Sequence, residues 1–162
     1  MTVADNGEGY VCGMKELRAN TSELSNKARY KKIRSAASQL KNSISQGFFL
    51  EATTLTESLI CDRLESRIAE LTKQDVNLGT IGAGLKNLRL LETDSNLKLI
   101  FIETQEWAKK RNEVIHEAAK IAKGKIKTWD EFLQLAQDTA IEGDALFRKL
   151  NKQLSHLRKV SK

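Results

Sequence analysis

FFLEATTLTESLICDRLESRIAELTK, residues 48–73, is the stretch whose reading decides the fold. Phe48, Ala52, Leu55, Leu59, Ile60, Leu64, Ile68 and Leu71 recur at three- and four-residue spacing, the period of a helix with one apolar face. The spacing predicts a helix over 48–73, the second of the chain. Gly47 marks the break before it.

Working outward, the same period appears on both sides. Leu24, Ala28, Ile33, Ala37, Leu40 and Ile44 form a thin stripe in a first, basic helix over 22–45. Residues 74–84 are rich in Gly, Asn and Asp and read as a loop, followed by a short helix over 85–91. Thr93-Asp94-Ser95 is a turn and a helix start. It opens a fourth helix over 96–122, which Gly124 ends in a Lys-rich loop. Thr128-Trp129-Asp130-Glu131 has the form of a capping box. The last helix follows with Phe132, Leu133, Leu135, Ala136, Ala140, Ala145, Leu146, Leu150 and Leu154. The chain contains no proline, so nothing interrupts long helices. No alternating β-branched run appears. The expectation is an all-α fold: an antiparallel bundle of four long helices plus one short helix. Residues 1–19 lack periodicity and read as a flexible N-terminal tail, with one helical domain over 20–162.

Of the 162 residues, 40% are hydrophobic and 30% charged, the balance of a soluble globular domain. Cys12 and Cys61 have no framework spacing, which suits reduced thiols and a cytoplasmic protein. No run is long enough to span a membrane, and the polar N-terminus has no signal-peptide core. The net charge of +6 is blocky. Lys27 to Lys41 and Arg148 to Lys162 each hold six cations and no acid, and Lys120, Lys123, Lys125 and Lys127 add a third cluster. Such runs are most often solvated helix faces, but they also suit a polyphosphate partner.

Standard phosphate loops are absent, and two unclustered histidines give no zinc site and no metal-ligand spacing. His156 lies in the basic C-terminal segment and reads as exposed. The fourth helix is different, because it carries Arg111-Asn112-Glu113-Val114-Ile115-His116. At about 100° per residue, Leu97, Ile100, Thr104, Trp107, Ala108, Val114, Ile115, Ala118 and Ala122 all fall within about 60° of Arg111. Arg111 is therefore expected at the centre of a buried stripe, where an unpaired guanidinium is costly. Asn112 and His116 share a face, but Arg111 and His116 are about 140° apart. One helix alone does not bring all three together; a second copy of it could. A purely structural reading remains open, in which Arg111 is buried and paired with Glu57, Asp62 or Glu65. Trp107 and Trp129 read as core or helix-junction anchors.

Arg111, four intervening residues and His116, with Asn112 directly after the Arg, on the penultimate long helix of a small α-bundle, resemble the HEPN superfamily. The likeness extends to the second helix, from Gly47-Phe48-Phe49-Leu50-Glu51-Ala52 through Thr56-Glu57-Ser58-Leu59-Ile60. It also takes in Thr80-Ile81-Gly82-Ala83-Gly84-Leu85, and covers about residues 27–157. Many members are metal-independent endoribonucleases of toxin–antitoxin or phage-defence systems. They act as homodimers whose motif helices line one cleft. The resemblance implies that His116 is general acid or base, that Arg111 holds the scissile phosphate, and that Asn112 orients His116 or the phosphate. It implies an acidic partner on the second helix, Glu57 or Asp62, with no metal and no cofactor. RNA is the implied partner. Lys109, Lys110, Lys149, Lys152 and Lys159 are expected against its backbone, and an antitoxin or regulatory protein is a further partner. One departure stands out: members paired with a nucleotidyltransferase often carry a Tyr two residues after the His, and this chain has Ala118. Two other readings stay open: a non-catalytic HEPN-like protein that binds a nucleotide or a partner, and a basic helical scaffold that binds nucleic acid by charge.

Overall fold

The computed structural model describes residues 23–119 and 127–160, with side chains from residue 27 and none at 119. The expected tail at 1–19, the end of the fourth helix at 120–122, Gly124 and the lysines at 120, 123 and 125 lie outside the described residues. All described secondary structure is helical: α1 Glu23–Ser45, α2 Phe49–Thr72, α3 Ile81–Leu91, α4 Ser95–Ala119 and α5 Trp129–Val160.

Cross-helix pairs fix the directions. Arg29 of α1 meets Asp62 of α2, and Gln39 donates to Glu51 at 3.0 Å, so α1 and α2 run antiparallel. Lys110 meets Glu142 at 2.8 Å and Glu103 meets Lys149 at 2.6 Å, so α4 and α5 also run antiparallel. Arg63 reaches Asn151, and Glu70 reaches Arg158, so α2 and α5 run parallel. These two make the most extensive packing in the molecule; α1 lies against α2, and α4 against α5.

The core follows the predicted stripes. Ala52, Leu59, Ile60, Leu64 and Ile68 of α2 are buried, as are Ala136, Ala140, Leu146, Leu150 and Leu154 of α5. Some stripe positions depart from this pattern: Phe48, Leu71 and Leu133 near helix ends, and Ala145 in the middle of α5, are exposed. Trp107 of α4 is fully buried, and its indole Nε1 donates to the Thr139 carbonyl at 2.9 Å. Gly143, one turn beyond Thr139, allows this approach, since a Cβ there would stand 2.8 Å from the indole ring. Trp129 is exposed and tilts against Phe132 at the start of α5.

The starts of α3, α4 and α5 each have a local cause. Thr128 and Glu131 form the predicted reciprocal cap: the Thr128 hydroxyl accepts from the Glu131 amide at 3.2 Å, and the Glu131 carboxylate accepts from the Thr128 amide at 2.7 Å. Asp94 caps α4 by accepting from the Leu97 amide at 2.7 Å. The short helix begins four residues earlier than its sequence predicts. Thr80 accepts from the Ala83 amide at 3.2 Å and starts α3 at Ile81. Of the glycines that suggested a loop, Gly84 is there for space: a Cβ on it would come within 2.8 Å of Leu78 and 3.0 Å of Leu64. Gly47, with φ of 81°, makes the expected break before α2.

At the α3–α4 junction the buried Glu92 accepts from Arg67 at 2.7 and 3.0 Å and from the amides of Thr93 and Asp94, both at 2.9 Å. Burial works to raise its pKa. Arg67 and the two amides more than reverse that, and the carboxyl lies below its ordinary value.

Candidate active site

Arg111 projects from α4 toward the N-terminal half of α2, between Trp107 and Val114, which are both fully buried. Its own side chain is 24% exposed. The expected full burial is thus corrected. The stem lies on the inward stripe, but the guanidinium reaches the rim of the helix packing, where it forms an ion pair with Glu57. Arg111 Nη1 also donates to Asn112 Oδ1 at 2.6 Å, and its Nε is buried without a partner. Burial lowers the pKa of the guanidinium, which remains charged. At the far end of the stripe, Ala118 is exposed.

Asn112 and His116 are both exposed, one turn apart on α4. Asn112 is therefore the link: it holds Arg111 through its amide oxygen and shares its face with His116. Within one chain the Arg111 head and the His116 ring leave the helix in different directions, as the spacing requires. The surroundings of His116 carry charge, since Glu113 pairs with Lys127 at 2.7 Å and Glu117 lies 3.7 Å from the same ammonium.

Of the two acidic candidates on α2, Glu57 meets Arg111 and Asp62 does not. Asp62 points to the other side of α2, where it pairs with Arg29 and Arg63. Glu65 accepts from the Leu78 amide at 2.9 Å.

The candidate RNA-contacting lysines divide. Lys109 pairs with Glu106, Lys110 with Glu142 and Lys149 with Glu103, so each already has a carboxylate. Lys152 and Lys159 are exposed, as is His156. Val114 packs on Phe132 and Ala136. At 1.5 Å per residue, Lys152 is about 24 Å further along α5 and Lys159 about 35 Å. In one chain these two cations stand at the opposite end of the bundle from His116.

Among the described residues no group of three or more His, Cys, Asp or Glu side chains is placed to hold a metal. The Cys61 thiol is pushed up to about 11, first by burial and then by Glu65 and Asp62, which leaves it a poor nucleophile. No described helix is long and apolar enough to cross a membrane.

One group escaped the sequence reading. Arg63 is 3% exposed and lies inside the apolar face of α2, four residues after Leu59 and three after Ile60. The spacing that singles out Arg111 singles out Arg63 equally well. Around it stand Arg29, Asp62, Asn151 and Arg158.

No protein-family profile matches the chain, and neither does any curated protein or solved structure.

Proposed function

We propose that the protein is a metal-independent endoribonuclease of the HEPN type, an antiparallel bundle that acts as a homodimer in a toxin–antitoxin or phage-defence setting. The observation that carries this reading is the Arg111 constellation. A guanidinium is held at the rim by Glu57 of α2 and by Asn112, with an exposed imidazole one turn beyond Asn112. The resemblance asks for an acidic residue on the second helix, and Glu57 supplies it.

The chemistry follows from these groups. His116 takes the proton of a ribose 2′-hydroxyl, and the 2′-oxygen attacks the adjacent phosphorus. The bond from phosphorus to the 5′-oxygen breaks, and that oxygen receives a proton. The products are a 2′,3′-cyclic phosphate and a 5′-hydroxyl end. An imidazole suits either proton transfer near neutral pH. Arg111 stabilises charge on the phosphoryl oxygens, with Glu57 and Asn112 fixing its plane.

A dimer answers the divergence of Arg111 and His116 on one helix. Ile102 is 60% exposed and lies within about 40° of His116 around α4. Leu99, 59% exposed, adds apolar area one turn earlier. A two-fold contact on this face brings two motif helices together.

The Arg111–Glu57 pair also favours a second reading, a HEPN-like protein without catalysis in which the pair only ties α4 to α2. One experiment separates them: incubation of RNA with the protein in EDTA, with His116→Ala alongside. Cleavage to 2′,3′-cyclic phosphate ends in EDTA, lost in a folded His116→Ala variant, is the expected result. Absence of cleavage, or cleavage that survives His116→Ala, supports the second reading.

A further inference from the structure

Away from Arg111, the C-terminal halves of α2 and α5 and the N-terminal part of α1 enclose a polar cluster. Arg29 donates to Asp62 and, at 3.1 Å, to Ser66. Arg63 donates to Asp62 Oδ2 at 2.7 Å and to Asn151 at 3.4 Å. Arg158 pairs with Glu70, which Arg67 shares at 3.2 Å. Arg67 in turn pairs with Glu92. Among the described residues this makes four guanidinium groups against three carboxylates, in a region where no member's side chain is more than 21% exposed.

Two nitrogens in the cluster are buried and have no partner: Arg63 Nε and Arg158 Nη2. A buried charged donor left unmatched is costly, and native proteins rarely tolerate it. The two arginines lie near enough to repel each other. After burial itself, and against the pull of Asp62, Arg158 and then Arg29 lower the pKa of Arg63. An anion between them would remove both faults at once.

The surroundings suit its approach. Of the two acid-free basic runs, Lys27, Arg29, Lys31 and Lys32 of α1 and Lys152, Arg158 and Lys159 of α5 lie toward this end of the molecule, whereas Lys41 lies toward the other. Lys152 and Lys159 are exposed there. Arg29 and Arg158 are the more open members, at 21% and 13% exposure, and Arg63 is the most buried, at 4%.

We propose that Arg63 and Arg158, with Arg29 at the rim, form a site for one tetrahedral phosphate group, separate from the Arg111 site. Arg63 and Glu57 are six residues apart on α2, about 9 Å along the axis and about 120° around it, so the two sites occupy different faces. Planar guanidinium forks match phosphate oxygens better than any other side chain. The depth of Arg63 selects a phosphate that can enter end-on, either free phosphate or a terminal phosphomonoester, over the internal phosphates of a polymer.

The test is thermal unfolding of the full chain in rising inorganic phosphate, with chloride at equal ionic strength as reference. Saturable stabilisation by phosphate alone is expected, as for any ligand that binds only the folded state. Arg158→Gln, at the rim, weakens it at least tenfold, and Arg158→Lys retains part of it. Binding of a short RNA with and without a 5′-phosphate identifies the source of the group. Preference for the phosphorylated end assigns a nucleic-acid terminus, and no preference with phosphate still bound assigns the free anion. Identical melting in phosphate and chloride overturns the proposal, as does an undiminished response in folded Arg158→Gln. His116→Ala keeps the phosphate response whether or not the chain cleaves RNA, so the two readings fail independently.

Discussion

Arg63 and Arg111 occupy equivalent places in two helices, and the molecule treats them differently. Each sits on the inward face of its helix, flanked by fully buried apolar residues: Leu59, Ile60 and Leu64 around one, Trp107 and Val114 around the other. Arg63 stays inside, 3% exposed, and draws Asp62, Arg29, Asn151 and Arg158 around it. Arg111 extends outward to a single carboxylate at the rim, next to an exposed amide and imidazole. A guanidinium in the stripe of a helix is thus one sequence signal with two structural outcomes. Which outcome occurs depends on what the neighbouring helices bring. At the Arg63 end three helices close over the side chain. At the Arg111 end the guanidinium reaches a single carboxylate of α2 and keeps 24% of its side chain exposed.

The comparison makes the two acidic partners unequal. Asp62 serves two guanidinium groups, one of them deeply buried, so Asp62→Ala leaves Arg63 without its carboxylate. Removing one partner of a buried pair costs about 3–5 kcal/mol. Chemical denaturation is the measurement, and a loss under about 1 kcal/mol would show that water reaches Arg63 freely. The triple-helix enclosure would then not be what distinguishes the two ends.

The next effect in size concerns the packing that orients α4 on α5. Gly143→Ala places a methyl group 2.8 Å from the Trp107 indole, whose Nε1 is tied to the Thr139 carbonyl. Overpacking of this kind costs about 1–3 kcal/mol, against a gain of up to about 1 kcal/mol in helix propensity. A net loss of about 1–2 kcal/mol is expected, with a red shift of tryptophan fluorescence as the indole moves. Neutral or stabilising behaviour would mean that the helices separate freely, and that the position of Arg111 over Glu57 is not rigidly set by Trp107.

Much of this was legible in the sequence. Thr128 and Glu131 announce their cap, and Asp94 the start of α4, because both motifs satisfy backbone amides with side chains a few residues away. The start of α3 was not, because glycines read as loop residues. Their role at Gly84 is to admit Leu64 and Leu78, contacts that a local pattern does not contain. For the site, periodicity placed Arg111 on the inward face but could not say how far its head would reach. It also could not choose between Glu57 and Asp62, which differ by five residues and hence by about 140° around α2. That choice depends on which helix faces each side of α2. Arg63 was legible in principle and missed, because the apolar residues on either side dominate the reading of that turn.

The smallest expected effect on stability tests the Arg111 end directly. Glu57→Gln keeps the shape of the side chain and removes its charge. Both partners of this pair are partly exposed, at 24% and 20%, so solvent screens the interaction and the loss should stay at about 1 kcal/mol or less. If the chain cleaves RNA as proposed, the effect on cleavage should be much larger. Without the charge, only a neutral amide oxygen and Asn112 hold the guanidinium, and the Arg111 plane is freer to turn away from a phosphate. Misplacing a group that stabilises the transition state costs up to about a hundredfold in rate. On the proposed reading Glu57 acts through Arg111 and not on the 2′-hydroxyl, so kcat should fall while KM changes little. A variant with unchanged kcat would reduce the pair to a helix tie. A variant destabilised as much as Asp62→Ala would show that Arg111 and Arg63 are held in the same way, and the contrast between the two ends of the molecule would not stand.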